Sequence, residues 1–136
     1  MTVDTKIRVL VTFDIFSSNR TVSELSELLQ ITPDVTYTKG ELIGNSIRKV
    51  KRNRWTLQET GSDLNQAETV LVSLIDRVQD AAEALNTLPK DVELRIAVCL
   101  AWEKNDPSPG IVISHSILHF LCENNIALEI ATEIYP

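Results

Sequence analysis

Two histidines, His115 and His119, stand four residues apart, and Cys122 follows three residues later. On a helix this spacing brings both imidazoles and the thiol to one face. That is the layout of a zinc ligand set, with Glu123 as a marginal fourth donor. The zinc-hydrolase pattern also needs a glutamate directly after its first histidine, and Ser116 stands there instead. At 100° per residue, Ile113, Ile117, Phe120 and Leu121 gather on the opposite side of the helix, so the histidines face solvent or a partner. Exposed imidazoles on a surface helix explain the same spacing without a metal, and that reading outweighs a metal centre at His115, His119 and Cys122.

A second cluster is basic. Arg48, Lys49, Lys51, Arg52 and Arg54 fall within seven residues and run into Trp55. Cations beside an aromatic ring can track a phosphate backbone and stack a base. The rest of the chain opposes that use, with eight basic side chains against nineteen acidic ones, a net charge of −6 overall and a pI near 4.9. Such a balance repels polyanions, so no nucleic-acid partner is expected. Lysines and arginines also guard strand edges against unwanted pairing. Trp55 alternates with Leu57, which places it in the core. The cluster is therefore a candidate binding segment with an acidic protein as its intermediate reading, and a solvated loop or edge as its plain one.

Acidic residues are scattered: Glu24 and Glu27, Asp76 and Asp80, Glu129 and Glu133. General acid–base chemistry needs two carboxylates in a shielded site with separated pKa values, and the sequence indicates no shielding. The chain lacks a nucleophile elbow, a phosphate loop and a dinucleotide fingerprint, and four glycines leave little material for a phosphate cradle. Neither an enzyme nor a cofactor is expected.

These residues must be positioned by a single domain, since 136 residues match one compact unit. A hydrophobic content of 43% with 24% charged residues is ordinary for a globular chain and argues against disorder. The polar start Met1–Lys6 does not read as a secretory leader, and no apolar run approaches the roughly 20 residues that cross a bilayer. The expectation is a cytoplasmic protein with no membrane partner and with Cys99 and Cys122 as free thiols.

Alternating β-formers predict a strand over 6–16, followed by a turn at 17–20. Thr21 and Glu24 form a capping-box pair ahead of a short helix over 22–30. A short strand follows over 35–38, then a weakly patterned, glycine-punctuated stretch over 40–54, with strand-like alternation returning at Trp55. Asp63 and Gln66 cap what reads as one long helix over 64–88, its stripe formed by Ala67, Leu71, Leu74, Val78, Ala81 and Leu85. A strand over 92–102, a loop over 104–110, a helix over 113–124 and a strand over 126–135 complete the chain. Residues 22–38 also lie without gaps over 114–130, matching Leu25, Leu28, Leu29, Val35 and Tyr37 to Ile117, Phe120, Leu121, Ile126 and Leu128. The expected fold is α+β: a mostly antiparallel sheet with helices on one face and two pseudo-repeated β-α-β halves, a ferredoxin-like build.

In the order of these features the chain resembles the bacterial domain of unknown function 4279 family. The matching features are the opening strand, the helix ending in Ile31-Thr32-Pro33-Asp34, Lys39-Gly40, Trp55-Thr56-Leu57, the leucine-rich helix and the closing helix–strand. The resemblance brings no reaction and no site residues with it. Chains of similar build occur among genes proposed to neutralise toxins, which implies an immunity role. The leading expectation is a non-enzymatic domain that binds a protein partner such as a toxin, covering a basic site on it with an acidic face. A small-molecule-sensing module with its ligand between helix and sheet is the alternative, and a metal-dependent enzyme using His115 and His119 comes third. A homodimer that covers either a sheet edge or the open side of a single-layer sheet is also expected, and the sequence does not say which.

Overall fold

A computed structural model describes residues 6–44, 46–107 and 109–135. The polar start 1–5, Asn45 and Ser108 in the two loops, and Pro136 lie outside the described residues.

Strand β1 (Val9–Ser17) is the hub of the sheet. Its odd positions Val9, Val11, Phe13 and Ile15 are buried toward the helices, and its even positions point to the other face. It pairs antiparallel with β3 (Asn53–Gly61) on one side and β4 (Glu93–Glu103) on the other. The short β2 (Val35–Tyr37) lies outside β3, and β5 (Ile126–Tyr135) pairs in parallel with β4, giving the order β2-β3-β1-β4-β5. The expected α+β class, with a mostly antiparallel sheet, is therefore what the chain forms.

Helix α1 (Val22–Leu29) begins where expected. The Thr21 hydroxyl accepts from the Glu24 N–H, while the Glu24 carboxylate turns outward to Arg20 at 3.8 Å. The helix ends at Gln30, which adopts a left-handed φ of 58°. Crossing from β1 through α1 to β2 skips one position in the sheet, and the chain turns straight back from β2 to fill it with β3, so the first four strands have the interleaved order of a ferredoxin-like sheet.

The long helix expected over 64–88 is broken. A 3-10 turn over Leu64–Gln66, closed by the reciprocal Asp63–Gln66 capping box, leads into α2 (Ala67–Gln79). Ala81 then leaves helical geometry at φ −103°, ψ 9°, and α3 (Ala82–Leu85) follows. The bend keeps Ala81 and Leu85 buried on the apolar layer.

Helix α4 (His115–Glu123) carries Ile117, Phe120 and Leu121 into the same layer. The segments 22–38 and 114–130 both fold as helix then strand, but their strands pair differently. β2 joins β3 antiparallel, whereas β5 returns beside β4 in parallel. All the helices pack on one face. Leu25, Trp55, Leu57, Leu71, Leu74 and Ile96 are at most 1% exposed in the layer between helices and sheet. Arg77 on α2 ties this layer to the edge, reaching Asp34 at 3.1 Å, Glu59 at 3.2 Å and the Gln58 carbonyl. Among the described residues no helix is long and apolar enough to cross a membrane.

Candidate binding corner on the open sheet face

The face without helices is where the polar residues of the central strands collect. At its centre Asp14 is 0% exposed. Its Oδ1 accepts from Arg54 Nε at 3.0 Å, Arg54 Nη2 at 2.9 Å and the Thr56 hydroxyl at 2.8 Å. Its Oδ2 accepts from Arg95 Nε at 3.2 Å, Arg95 Nη2 at 2.9 Å and the Thr12 hydroxyl at 3.1 Å. Register explains the convergence, because Asp14 stands directly between Thr56 on β3 and Arg95 on β4. Two forked pairs on one carboxylate fix both guanidinium planes, a geometry that lysine could not supply.

Two residues further along β1, Phe16 lies among three guanidiniums, with Arg52 4.6 Å, Arg95 4.8 Å and Arg54 5.8 Å from its ring centre. Arg54 also stands 5.1 Å from the Tyr37 ring. Arg52 and Arg95 are tethered outward to Glu93 at 2.9 Å and Glu129 at 3.1 Å. Beside this cluster the chain leaves the sheet between β2 and β3 as a hairpin-like excursion, held by a Leu42–Lys49 bridge and by Gly40 N–H to the Val50 carbonyl. Gly40 and Gly44 take positive φ there, 94° and 55°, which the turns require. Asn53 anchors the excursion. Its side-chain carbonyl accepts from Lys39 N–H and its amide donates to the Arg20 carbonyl.

Between excursion and sheet lies a groove of about 360 Å³, lined by Phe16, Tyr37, Ile43, Val50, Lys51, Arg52 and Arg54. Its walls are mainly apolar and aromatic, and its rim is cationic. Arg48, Lys49 and Lys51 have no acidic partner within ion-pair distance among the described residues. A larger hollow of about 680 Å³ runs from the end of α3 to the start of β5, but Lys90, Glu93 and Glu123 give it mixed charge and no aromatic wall.

The basic run of the sequence is thus divided by the fold. Arg54 lies within β3, Arg52 reaches the sheet face at its start, and Arg48, Lys49 and Lys51 sit on the excursion. Trp55 is on the other side of the sheet, 0% exposed, with its Nε1–H donating to Ser26 at 2.9 Å and its ring edge-on to Phe13. It is a core residue and does not flank the groove. His115, His119 and Cys122 are exposed on α4, where His119 pairs with Glu123 at 2.9 Å. Among the described residues no three His, Cys, Asp or Glu side chains stand close enough to hold a metal ion.

Asp14, Phe16, Tyr37, Ile43, Val50 and Arg95 are residues of the corner that sequence reasoning missed. One signal was available: an aspartate in the middle of a strand, between Phe13 and Ile15, where aspartate is depleted.

The sequence matches the model of the family described as Domain of unknown function (DUF4279) over residues 5–135, nearly the whole chain. Neither the curated proteins nor the solved structures yield a match. The match spans all but a few residues at the two ends, and the chain belongs to the DUF4279 family.

Proposed function

We propose that the chain is a non-enzymatic binding domain whose groove on the open sheet face receives an acidic segment of a protein partner. The observation that carries this reading is the combination of oriented and free cations around an apolar slot. Asp14 fixes Arg54 and Arg95, while Arg48, Lys49 and Lys51 lack acidic partners among the described residues. A carboxylate arriving with an apolar or aromatic neighbour meets donors at the rim and rings in the slot, the usual division of labour at a recognition hot spot. The same face carries Glu129 and Glu133 on β5 at its far side, so a partner meets a basic half and an acidic half. An immunity-type inhibitor that covers a toxin's active site is one form of such a domain, with the acidic half on the toxin's basic groove.

Titration of ¹⁵N-labelled protein with a Glu- and Phe-containing peptide tests the proposal. The expected result is shifts confined to Tyr37, Val50, Lys51 and Arg54 amides, abolished in Lys51→Ala/Arg52→Ala. Shifts scattered over the surface, or equal binding by a Lys-rich control peptide, reject it.

The groove volume supports a second reading. About 360 Å³ falls in the range of small-molecule sites. The space between helix and sheet is filled by core side chains, so a sensed ligand belongs in this corner. A flat organic anion that raises the melting temperature where the peptide does not would favour sensing over protein docking.

A further inference from the structure

The two edges of the sheet are treated differently. β2 is three residues long and is continued by the basic excursion, so it offers little backbone for pairing. β5 runs for ten residues, pairs only with β4 among the described residues, and contains no lysine, arginine or proline. Lysine and proline are the strongest blunting devices of an open edge, and the only charges on β5 are Glu129, tied to Arg95, and Glu133. Two large apolar side chains are also left uncovered there, Ile130 at 48% and Ile134 at 56% exposure.

We infer that β5 pairs antiparallel with β5 of a second copy of this chain, about a two-fold axis at Ile130, making one ten-stranded sheet with all helices on one side. The charge pattern of the strand selects both the occupant and the register. With the axis at Ile130, Ile130 stands opposite Ile130 of the partner subunit and Ile126 opposite Ile134 of the partner subunit. On the other face, Glu129 stands opposite Ala131 of the partner subunit and Glu133 opposite Ala127 of the partner subunit. No like charges are directly opposed, and Glu129 is already paired with Arg95. Moving the axis one residue on, to Ala131, sets Glu129 against Glu133 of the partner subunit twice over, and moving it back to Glu129 sets that carboxylate against its own copy. Directly opposed like charges destabilise a strand pair. An axis at Thr132 avoids the clash but pairs only 129–135 instead of 126–134. An isologous contact of this kind closes at two copies and cannot propagate.

Sedimentation equilibrium on the whole chain tests the inference. The wild type is expected to dimerise at concentrations on the order of 100 μM, and Ile130→Arg, which opposes two guanidiniums at the axis, to weaken the dimer by more than about tenfold. Because Ile130 is half-exposed, the monomer should keep its circular dichroism and melting temperature. Ala131→Lys places an ammonium opposite Glu129 of the partner subunit and should tighten the dimer. A wild type that stays monomeric overturns the inference. So does a dimer unaffected by Ile130→Arg, and a dimer weakened by Ala131→Lys overturns the register.

Discussion

Asp14 and Arg95 face each other directly across the β1–β4 register, and the carboxylate Oδ2 takes two nitrogens of the guanidinium, at 3.2 and 2.9 Å. Arg54 does the same to Oδ1 from the other neighbouring strand. One buried anion thus spans the three central strands on a face that no helix covers. Its desolvation is offset by six hydrogen bonds to four side chains, and the arrangement holds only while every partner is present.

Asp14→Asn keeps the shape and removes the charge, leaving two guanidiniums directed at a neutral amide. Unfolding by urea should show a loss of about 3–5 kcal/mol, the usual consequence of breaking one side of a buried ion pair. Replacing Asp14, Arg54 and Arg95 together with apolar residues should cost far less, because no charge is then left stranded. A single-variant loss below about 1 kcal/mol would show that water already screens the cluster.

Asp34 sets a dependence on acid. The Gln58 backbone N–H, against partial burial and with help from Arg77, holds its carboxyl below the ordinary value of 3.8. A carboxyl depressed in the folded state contributes stability that is complete above the unfolded value and disappears as pH falls through the folded one. The wild type should therefore lose this contribution on acidification below about pH 4, and Asp34→Asn should flatten that part of the stability curve. Parallel acid limbs for the two proteins would disprove the linkage.

Cys99 should be a sluggish nucleophile despite its exposure. Partial burial, with Glu129 adding to it and Arg95 opposing, pushes its thiol above the ordinary value of 9.0. Less thiolate at a given pH means slower alkylation. In a Cys122→Ser background, iodoacetamide should modify Cys99 more slowly than free cysteine at pH 8, and Glu129→Gln should speed the reaction.

Trp55 belongs to the core and its replacement should show only there. Trp55→Phe loses ring volume and the hydrogen bond to Ser26, for about 1–3 kcal/mol of stability. Peptide binding at the corner groove should be unchanged, as titration of the variant would show.

Strands and helices were legible because their signals are local. Alternation in Val11, Phe13 and Ile15, the Thr21 cap and the Asp63–Gln66 capping box each lie within a few residues. The break at Ala81 was not, because the apolar stripe continues through it to Leu85 and no proline or glycine marks it. The basic run was visible as a run, but its division between sheet and excursion depends on β3 beginning at Asn53, before the alternation at Trp55 becomes clear. The Asp14 cluster was hidden for a different reason. Its arginines come from 40 and 81 residues away and meet only through strand register. A pairing that depends on two long-range registers leaves no periodic trace in one sequence.

The single helix layer leaves the middle of the other side of the sheet to an ionic lattice, with the apolar slot confined to one corner. Thr12, Asp14 and Thr56 are shielded there by the arginine forks and not by oily side chains. Outside the corner slot lined by Phe16, Tyr37, Ile43 and Val50, this face therefore meets water through charged and polar groups. If the corner receives an acidic segment as proposed, rising salt concentration should shorten each encounter.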